Sequence, residues 1–340
     1  MHRGRTLTRL TSLILAVALL ASCTADTDTG VSSEPTAAPD RRFLSIGTAP
    51  PGGAFFVVGG AISEVLDATE GTGWQVTAEA TKGSQENIRR LVAGELDLAL
   101  ANSAISYFAV RGEGGWERDY PVRAVMTLAP NIAMFLAPTN NGLRSVADLA
   151  GQRVVVGPAG AGFEYFLNPL LKAHGVTYDD FTPLHNTQAG AVDMLADGSA
   201  AAAFLGGAVP TASVTQATAS QQITFIPYDA DALASLAAQF VFFRQASVPA
   251  GTYRNQDEDF AGMDVGSMHL ISSASADELL VYELTRSLYE NRQQVVEKHP
   301  AGRAINPKNA ARSTGIPFHP GAERFYREID IWPEAVASAD

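Results

Sequence analysis

The sequence predicts an α/β protein of two similar lobes, each with a mostly parallel sheet flanked by helices. Its 340 residues are enough for two lobes of ordinary size, each with its own core. Short apolar segments typical of strands alternate with segments of helical periodicity, which favours parallel sheets covered on both faces. A pattern of strand, glycine turn and helix also occurs twice, starting near Ile46 and again near Val154.

The first 22 residues have the features of an export signal. Three arginines precede an apolar run over residues 13–21, which is too short to span a bilayer. Cys23 is the only cysteine, and it follows the pattern of a bacterial lipoprotein signal. We therefore expect a lipid on Cys23 and an extracytoplasmic protein anchored at the periplasmic or cell-surface face of the membrane; the alternative is a chance cysteine in an ordinary signal. Residues 23–42 are polar and Pro-rich, which predicts a flexible tether.

The first lobe is predicted to open with a strand at residues 43–46, a turn containing Gly53, and a helix with apolar residues at helical spacing. A second strand over residues 75–80 leads through Lys82 and Gly83 to another helix, for which Ser84 is the predicted N-cap. That helix is expected to end at Gly94, directly before a buried strand. Leucine, glycine and alanine recur at the same spacing around Gly198, in residues 195–204, as expected for a second, similar lobe.

Two crossings are predicted between the lobes. The apolar segments on either side of residues 129–131 indicate a strand leaving the first lobe and another entering the second. The return is expected near residues 239–244, and a later helix with Leu280, Leu284 and Leu288 in register should pack on the first lobe. The predicted organisation is residues 43–130 with 240–340 for lobe 1, and residues 131–239 for lobe 2.

Three glycine-containing loops lie between a strand and the first turn of a helix, which is the ligand end of an open α/β sheet. Free N–H groups and the helix dipole attract an anion there, and a carboxylate is the simplest candidate. Taken alone, each loop is more often an ordinary tight turn, and an exposed lysine such as Lys82 is usually a solubilising charge. Asn102 and Ser103 are as readily a turn that ends a strand. The candidate ligand-binding residues are Gly53, Ala54, Phe55, Lys82, Gly83, Ser84, Asn102, Ser103, Gly160, Ala161, Gly162 and Phe163.

Composition and motifs argue against other functions. With 24 basic against 36 acidic residues, the net charge of −12 makes nucleic acid an unexpected partner. The sequence contains no metalloprotease, nucleophile-elbow or P-loop motif, so we expect neither an enzyme nor a bound cofactor. The histidines beyond the leader show no ligand spacing, and no metal site is expected.

Two long segments are distinctive, ATKGSQENIR at residues 80–89 and IPFHPGAERFY at residues 316–326. Shorter segments of the same kind occur at residues 45–56, 94–97 and 249–253. Together these segments resemble the TAXI group of solute receptors of tripartite TRAP transporters. The resemblance implies a type II periplasmic-binding-protein fold. It also implies capture of an organic acid or amino acid, such as glutamate, glutamine or a 2-oxo acid, and delivery to integral membrane TRAP subunits.

The sequence departs from the group's pattern at the expected binding positions. Gly53, Ala54 and Phe55 stand where Gly-Val-Tyr is usual, so a tyrosine hydroxyl is missing. Residues 102–104 stand where Gln-Ser-Asp is common, and of these three only Ser103 matches. Residues 158–164 replace a loop that usually contains Gly-Ser-Gly-Thr, so two hydroxyls are missing there. These differences favour a less polar or larger acid. A lipoprotein that senses a solute and reports it to a signalling partner remains the alternative to a transport receptor.

Overall fold

The computed structural model describes residues 41–333. The predicted signal peptide, Cys23 and all of the predicted tether except Arg41 and Arg42 lie outside the described residues. Arg42 already belongs to the first strand, one residue earlier than the sequence indicated. Between residues 41 and 333, no helix has both the length and the apolar character required to cross a bilayer.

Strands and helices alternate through most of this region. The strands are β1 (Arg42–Gly47), β2 (Trp74–Glu79), β3 (Leu98–Asn102), β4 (Val122–Thr127), β5 (Ile132–Pro138), β6 (Arg153–Val155), β7 (Thr182–Leu184), β8 (Ala202–Gly207), β9 (Ile223–Ile226), β10 (Phe243–Val248), β11 (Phe260–Val265) and β12 (Met268–Ser273). The α-helices are α1 (Ala54–Asp67), α2 (Ser84–Val92), α3 (Ser103–Ala109), α4 (Glu164–Ala173), α5 (Gln188–Ala196), α6 (Ala212–Ser220), α7 (Ala230–Gln239), α8 (Glu278–Glu290), α9 (Arg292–Lys298) and α10 (Pro320–Glu328). Short 3-10 helices are Thr139–Asn141, Val146–Leu149 and Pro300–Ala304.

The strands form two sheets flanked by helices, which confirms the predicted α/β class. The first sheet has the order β2-β1-β3-β12-β4, and the second β10-β11-β5-β8-β6-β7, with β9 also paired to β5. Both sheets are mixed rather than mostly parallel: β1 is parallel to β2 and β3, but β12 is antiparallel to β3 and β4. In the second sheet β6 is parallel to its neighbours, whereas β5 is antiparallel to β8, β9 and β11. Strand β12 enters the first sheet, and β5 the second, through short links from the other sheet rather than through a helix of its own sheet.

The chain passes between the sheets at residues 128–131 and again at residues 266–267. The predicted return near residues 239–244 is not found, because β10 and β11 pair with each other from Phe243 opposite Val265 to Val248 opposite Phe260. Strand β11 then pairs with β5, so residues 243–265 extend the second sheet. This long-range register decides the sheet to which the apolar segment near residue 240 belongs.

Helix α1 shows how the core positions the loop in front of it. Val58, Ile62, Val65 and Leu66 are each at most 2 % exposed, at the spacing of one helical face. The same helix carries Ser63, whose hydroxyl donates to the carbonyl of Val76 at 2.9 Å and ties the helix to β2. Burial of this face holds α1 on the first sheet, with its N-terminus at the end where the connecting loops of both sheets meet.

Candidate functional site

A cavity of about 60 Å³ lies where helix starts and strand ends of the two sheets meet. We call it the cleft cavity. The first-sheet side supplies the segments before α1 and α2 and the end of β3; the second-sheet side supplies the start of α5, the segment before α4 and strand β8. Its lining residues are Ala49, Pro50, Pro51, Gly53, Ala54, Phe55, Lys82, Gly83, Ser84, Asn102, Asn131, Pro158, Phe163, Phe166, Thr187, Gln188, Phe204 and Gly206.

Eight of the twelve candidate residues line the cleft cavity: Gly53, Ala54, Phe55, Lys82, Gly83, Ser84, Asn102 and Phe163. The other four, Ser103, Gly160, Ala161 and Gly162, do not. Ser103 is fully buried and its backbone N–H donates to the carbonyl of Ser267 at 3.1 Å. Its hydroxyl has no hydrogen-bond partner among the described residues.

The loop at residues 160–162 contacts the opposite side of the cleft instead of lining the cavity. A Cβ atom placed on Gly83 would lie 3.5 Å from the Cβ of Ala161. A Cβ on Gly162 would lie 3.4 Å from the Cβ of Gln85 and 3.1 Å from Cδ1 of Ile105. The loop of the second sheet therefore packs on α2 and α3, and the two sides of the cleft touch at its edge.

Two helices begin at the cleft cavity without a side-chain cap. Gly53 is the N-cap of α1 and Gly83 the N-cap of α2, and neither helix has a side-chain hydrogen bond to its first turn. The sequence placed the N-cap of α2 at Ser84, which is instead the first helical residue. Gly83 has φ of +121°, a conformation open to glycine, and this moves the cap one residue earlier. Unpaired N–H groups and the positive ends of two helix dipoles consequently face the same space.

Ser84 and Asn102 are joined by a hydrogen bond, but only Ser84 keeps a side-chain donor that is available to a solute. The backbone N–H of Asn102 donates to Oγ of Ser84 at 2.9 Å, so the hydroxyl of Ser84 keeps its own proton to donate. The side chain of Asn102 accepts from the N–H groups of Ala104 and Ile105 and donates to the carbonyl of Gly266 at 2.8 Å. Asn102 therefore caps α3 and fixes the second crossing, in agreement with its interpretation as a residue that ends a strand.

Lys82 supplies the positive charge on the cavity lining. Its side chain is exposed, and within residues 41–333 its Nζ forms no hydrogen bond or ion pair. Its backbone N–H donates to a carboxylate oxygen of Glu86 at 3.1 Å, which anchors the loop. The Lys82 ammonium is therefore available to a solute at the mouth of the cavity.

The sequence analysis missed three polar residues of the lining, Asn131, Thr187 and Gln188. Thr187 is the N-cap of α5, where its Oγ1 accepts from the N–H of Gly190 at 3.1 Å; a Thr before an Ala-rich helix is a signal that could have found it. Gln188 donates to the carbonyl of Gly206 and accepts from Ser213. These bonds hold the second-sheet wall in place.

Asp264 ties the two crossings together. One carboxylate oxygen accepts from the backbone N–H of Asn131 at 3.0 Å in the first crossing, and the other from Oγ of Ser267 at 2.6 Å in the second. Arg312 donates to the same Oγ at 2.7 Å. Burial raises the pKa of Asp264 to about 6, and its two hydrogen bonds offset only part of that rise. The carboxylate couples both connections between the sheets to Asn131 on the cavity lining.

His269 lies near the same crossings, on β12. Its Nε2 lies 2.8 Å from Oγ of Ser106 and its Nδ1 lies 3.3 Å from Oγ1 of Thr314. Burial lowers the pKa of His269 to about 3, and nearby Arg312 adds to the effect. The imidazole is therefore neutral at physiological pH and acts as a hydrogen-bonding spacer between elements of the core.

Tyr165 joins the two sides of the cleft beyond the edge of the cavity. Its ring, on α4, stacks on Phe108 with centroids 5.8 Å apart and on Trp116 at the same distance. Its hydroxyl accepts a long hydrogen bond of 3.4 Å from Nε2 of Gln85. A second-sheet helix thus inserts an aromatic ring between residues that follow the first sheet, and this contact joins the two sides of the cleft.

The described part of the chain, residues 41–333, contains no group of three or more His, Cys, Asp or Glu side chains placed to hold a metal ion. Lys82 is the only ionisable side chain on the lining of the cleft cavity in this region. The arrangement can bind an anionic group through N–H, hydroxyl and ammonium donors beside an apolar wall.

Three solved structures illustrate the similarity of this fold to known structures. The alkanesulfonate-binding protein SsuA from Xanthomonas axonopodis pv. citri, bound to MOPS, has a TM-score of 0.51 at 19 % identity, covering 87 % of this chain and 86 % of that one. A periplasmic transporter has a TM-score of 0.52 at 14 % identity, covering 86 % and 94 %. A protein from Bordetella bronchiseptica RB50 has a TM-score of 0.51 at 14 % identity, covering 86 % and 90 %. The NMT1-like family matches residues 46–329, and the chain belongs to that family.

Proposed function

We propose that the protein is an extracytoplasmic solute receptor that holds a small carboxylate-bearing solute in the cleft cavity. In this proposal each sheet with its helices is one lobe, and the crossings at residues 128–131 and 266–267 are the hinge. The observation that carries the proposal is the convergence of two uncapped helix starts, at Gly53 and Gly83, on one cavity that also contains Lys82.

A bound anion accepts hydrogen bonds from the N–H groups that the folded chain leaves without a cap at the cleft cavity. The first N–H groups of α1 and α2 have no side-chain cap, so they remain available as hydrogen-bond donors. A carboxylate accepts several such bonds at once and interacts favourably with both helix dipoles. The hydroxyl of Ser84 and the ammonium of Lys82 provide further donors within the same lining.

The fold neighbours support a binding role. One is named for binding alkanesulfonates, which are anions with an apolar chain, and another is named as a periplasmic transporter. Both names describe binding or transport rather than catalysis, which agrees with the prediction that this chain is not an enzyme. The resemblance of residues 80–89 and 316–326 to TAXI receptors supports delivery of the solute to TRAP membrane subunits.

The lipid anchor at Cys23 is part of the proposal and has a direct test. Expression of the full chain and of Cys23→Ser, followed by separation of membrane and soluble fractions, should show the wild type in the membrane and the variant released. Mass spectrometry of the mature N-terminus should find a diacylated cysteine. A wild-type protein that remains soluble with an unmodified Cys23 would show that the anchor is absent.

A thermal-shift screen of the full chain tests solute capture. The panel contains amino acids, dicarboxylates, 2-oxo acids and short fatty acids. A solute at a hundred times its Kd stabilises the folded state by roughly 2.7 kcal/mol, which is readily measured. A flat response to every member of the panel would contradict the proposal.

Variants that remove one donor each from the cavity lining then locate the solute. Lys82→Gln and Ser84→Ala should each weaken binding about tenfold or more, because each loses a hydrogen bond to a charged group. Lys308→Gln is the matched control, since Lys308 is also exposed and does not line the cavity. Equal affinity in all three variants would remove the cleft cavity as the binding site.

A further inference from the structure

Among residues 41–333, no acidic side chain lines the cleft cavity to pair with an amino group. Its lining includes one ionisable residue, Lys82, which is cationic. Among the carboxylates nearby, Glu86 is bonded to the backbone N–H of Lys82, and Asp264 is fully buried behind the first crossing with both oxygens occupied. An ammonium group enclosed here would lose its hydration without gaining a counter-charge, which costs several kcal/mol.

The polar lining leaves one amide free to contact a solute. The amides of Asn102 and Gln188 are both used in hydrogen bonds within the protein. Asn131 is 7 % exposed, lines the cavity, and its side-chain amide has no hydrogen-bond partner within residues 41–333. This amide lines the cavity without a hydrogen bond to another described residue, so a solute oxygen that enters the cavity can bond to it in place of water.

The rest of the lining is an aromatic wall. Phe163, Phe166 and Phe204 pack together with ring centroids 5.2–5.7 Å apart, and Phe55 lies on the α1 side of the cavity. Such a surface favours an apolar body and gives nothing to hydrogen-bond a second polar group. A dicarboxylate would place its second charge against this wall.

The volume of the cleft cavity limits the size of the solute's apolar body. One water needs roughly 10–15 Å³ by the same measure, so a cavity of about 60 Å³ holds roughly four to six waters. A solute of a few carbon atoms beyond its carboxylate fits this space.

We propose that the solute is a small acid with a single negative charge, a short apolar body and no ammonium group, and that Asn131 binds an oxygen at its polar end. This inference rests on the proposed function and narrows it from carboxylates in general to short monoacids and their 2-oxo forms. Asn131 is then the specificity-determining residue of the cavity, and the absence of a facing carboxylate excludes amino acids.

Calorimetric titration of the full chain with matched solutes tests the inference. The probes are 3-methylbutanoate, 4-methyl-2-oxopentanoate and leucine, which share a branched body and differ at the carbon beside the carboxylate. We expect leucine to bind at least about 100-fold more weakly than the better of the two acids, because its ammonium group is unpaired in the cavity. If leucine binds as tightly as the acids, the proposed solute class is wrong, but the proposal that the cleft cavity binds a solute is unaffected.

Two variants separate recognition by Asn131 from general effects of charge. Asn131→Asp places a negative charge next to the bound acid and should lower its affinity at least tenfold, whereas Asn140→Asp makes the same change at an exposed surface position and should not. Thermal unfolding of both variants shows whether the fold is intact; for an intact Asn131→Asp protein, unchanged affinity would overturn the role of Asn131. If neither acids nor leucine bind the wild type and the wider panel is also flat, the proposed function itself fails.

Discussion

Replacing Asp264 by Asn should change how the stability of the protein depends on pH. Burial raises the pKa of Asp264 from its ordinary value near 3.8 to about 6, so the folded state binds a proton more readily than the unfolded chain. Stability from this group is therefore gained as the pH falls from above 6 towards 4, and absent at high pH where both states are ionised. The amide introduced by Asp264→Asn cannot titrate, so the variant lacks that gain.

The size of the effect follows from the pKa difference. A shift of about two pKa units corresponds to roughly 3 kcal/mol at the acid limit, and to about 1.3 kcal/mol between pH 7 and pH 5. Asp264→Asn should consequently lose about 1.3 kcal/mol more than the wild type over that interval. Arg312 and Arg244, the cations that act on Asp264, already oppose the rise in pKa, and their effect is contained in the value of about 6.

His269 provides a control of opposite sign. Burial lowers its pKa from 6.5 to about 3, so the unfolded chain binds the extra proton and the wild type loses stability as the pH falls through 6.5. The expected loss between pH 7 and pH 5 is about 2 kcal/mol, and His269→Asn should abolish it. The two variants should therefore shift the pH profile in opposite directions.

Urea unfolding at pH 7, 6 and 5, followed by circular dichroism, measures these differences for the wild type and both variants. The diagnostic quantity is the change in unfolding free energy with pH rather than its absolute value. If Asp264→Asn follows the wild-type pH profile to within about 0.5 kcal/mol, the reasoning from burial at the crossings is refuted.

Three further predictions concern the walls of the cleft. Gly83→Ala should lower the unfolding free energy by about 1–2 kcal/mol in urea titrations and weaken solute binding, because φ of +121° is strained for any side chain; a variant as stable as the wild type would contradict this. Asn87→Ala should cost about 2–4 kcal/mol, since its buried Nδ2 donates to two carbonyls, on Thr48 and Leu100, that lose their partner; a loss below about 1 kcal/mol in the same assay would disagree. Tyr165→Leu removes the stack on Trp116, so we expect weaker solute affinity and a red-shifted tryptophan emission. An unchanged emission spectrum would argue against the contact of Tyr165 with Trp116 across the cleft.

Local pattern was sufficient for most elements of the fold. The apolar spacing of α1, the glycine that ends α2 and the buried strand β3 all follow from residues close together in sequence. The membership of β10 and β11 in the second sheet did not follow, because it depends on hydrogen bonding between strands far apart, β11 with β5. The mixed direction of the sheets was missed for the same reason.

The candidate site was predictable where a loop joins a strand to a helix. Glycine at Gly53 and Gly83 marked two of the positions that line the cavity. Side-chain direction could not be read from the pattern: Ser103 follows Asn102 directly, yet it points into the core and is fully buried. Asn131 was overlooked because it lies in a crossing, where its meaning depends on which elements meet there.

The central claim, that a solute binds in the cleft cavity, is tested most directly by filling that cavity. Ala54 is 6 % exposed and lines the cavity at the start of α1, so Ala54→Leu places three carbon atoms in the proposed solute space. Calorimetric titration with the solute found by thermal shift should show one site per wild-type chain, and no binding heat in a variant that still unfolds cooperatively. Equal binding by the wild type and Ala54→Leu would contradict the claim and place the solute elsewhere.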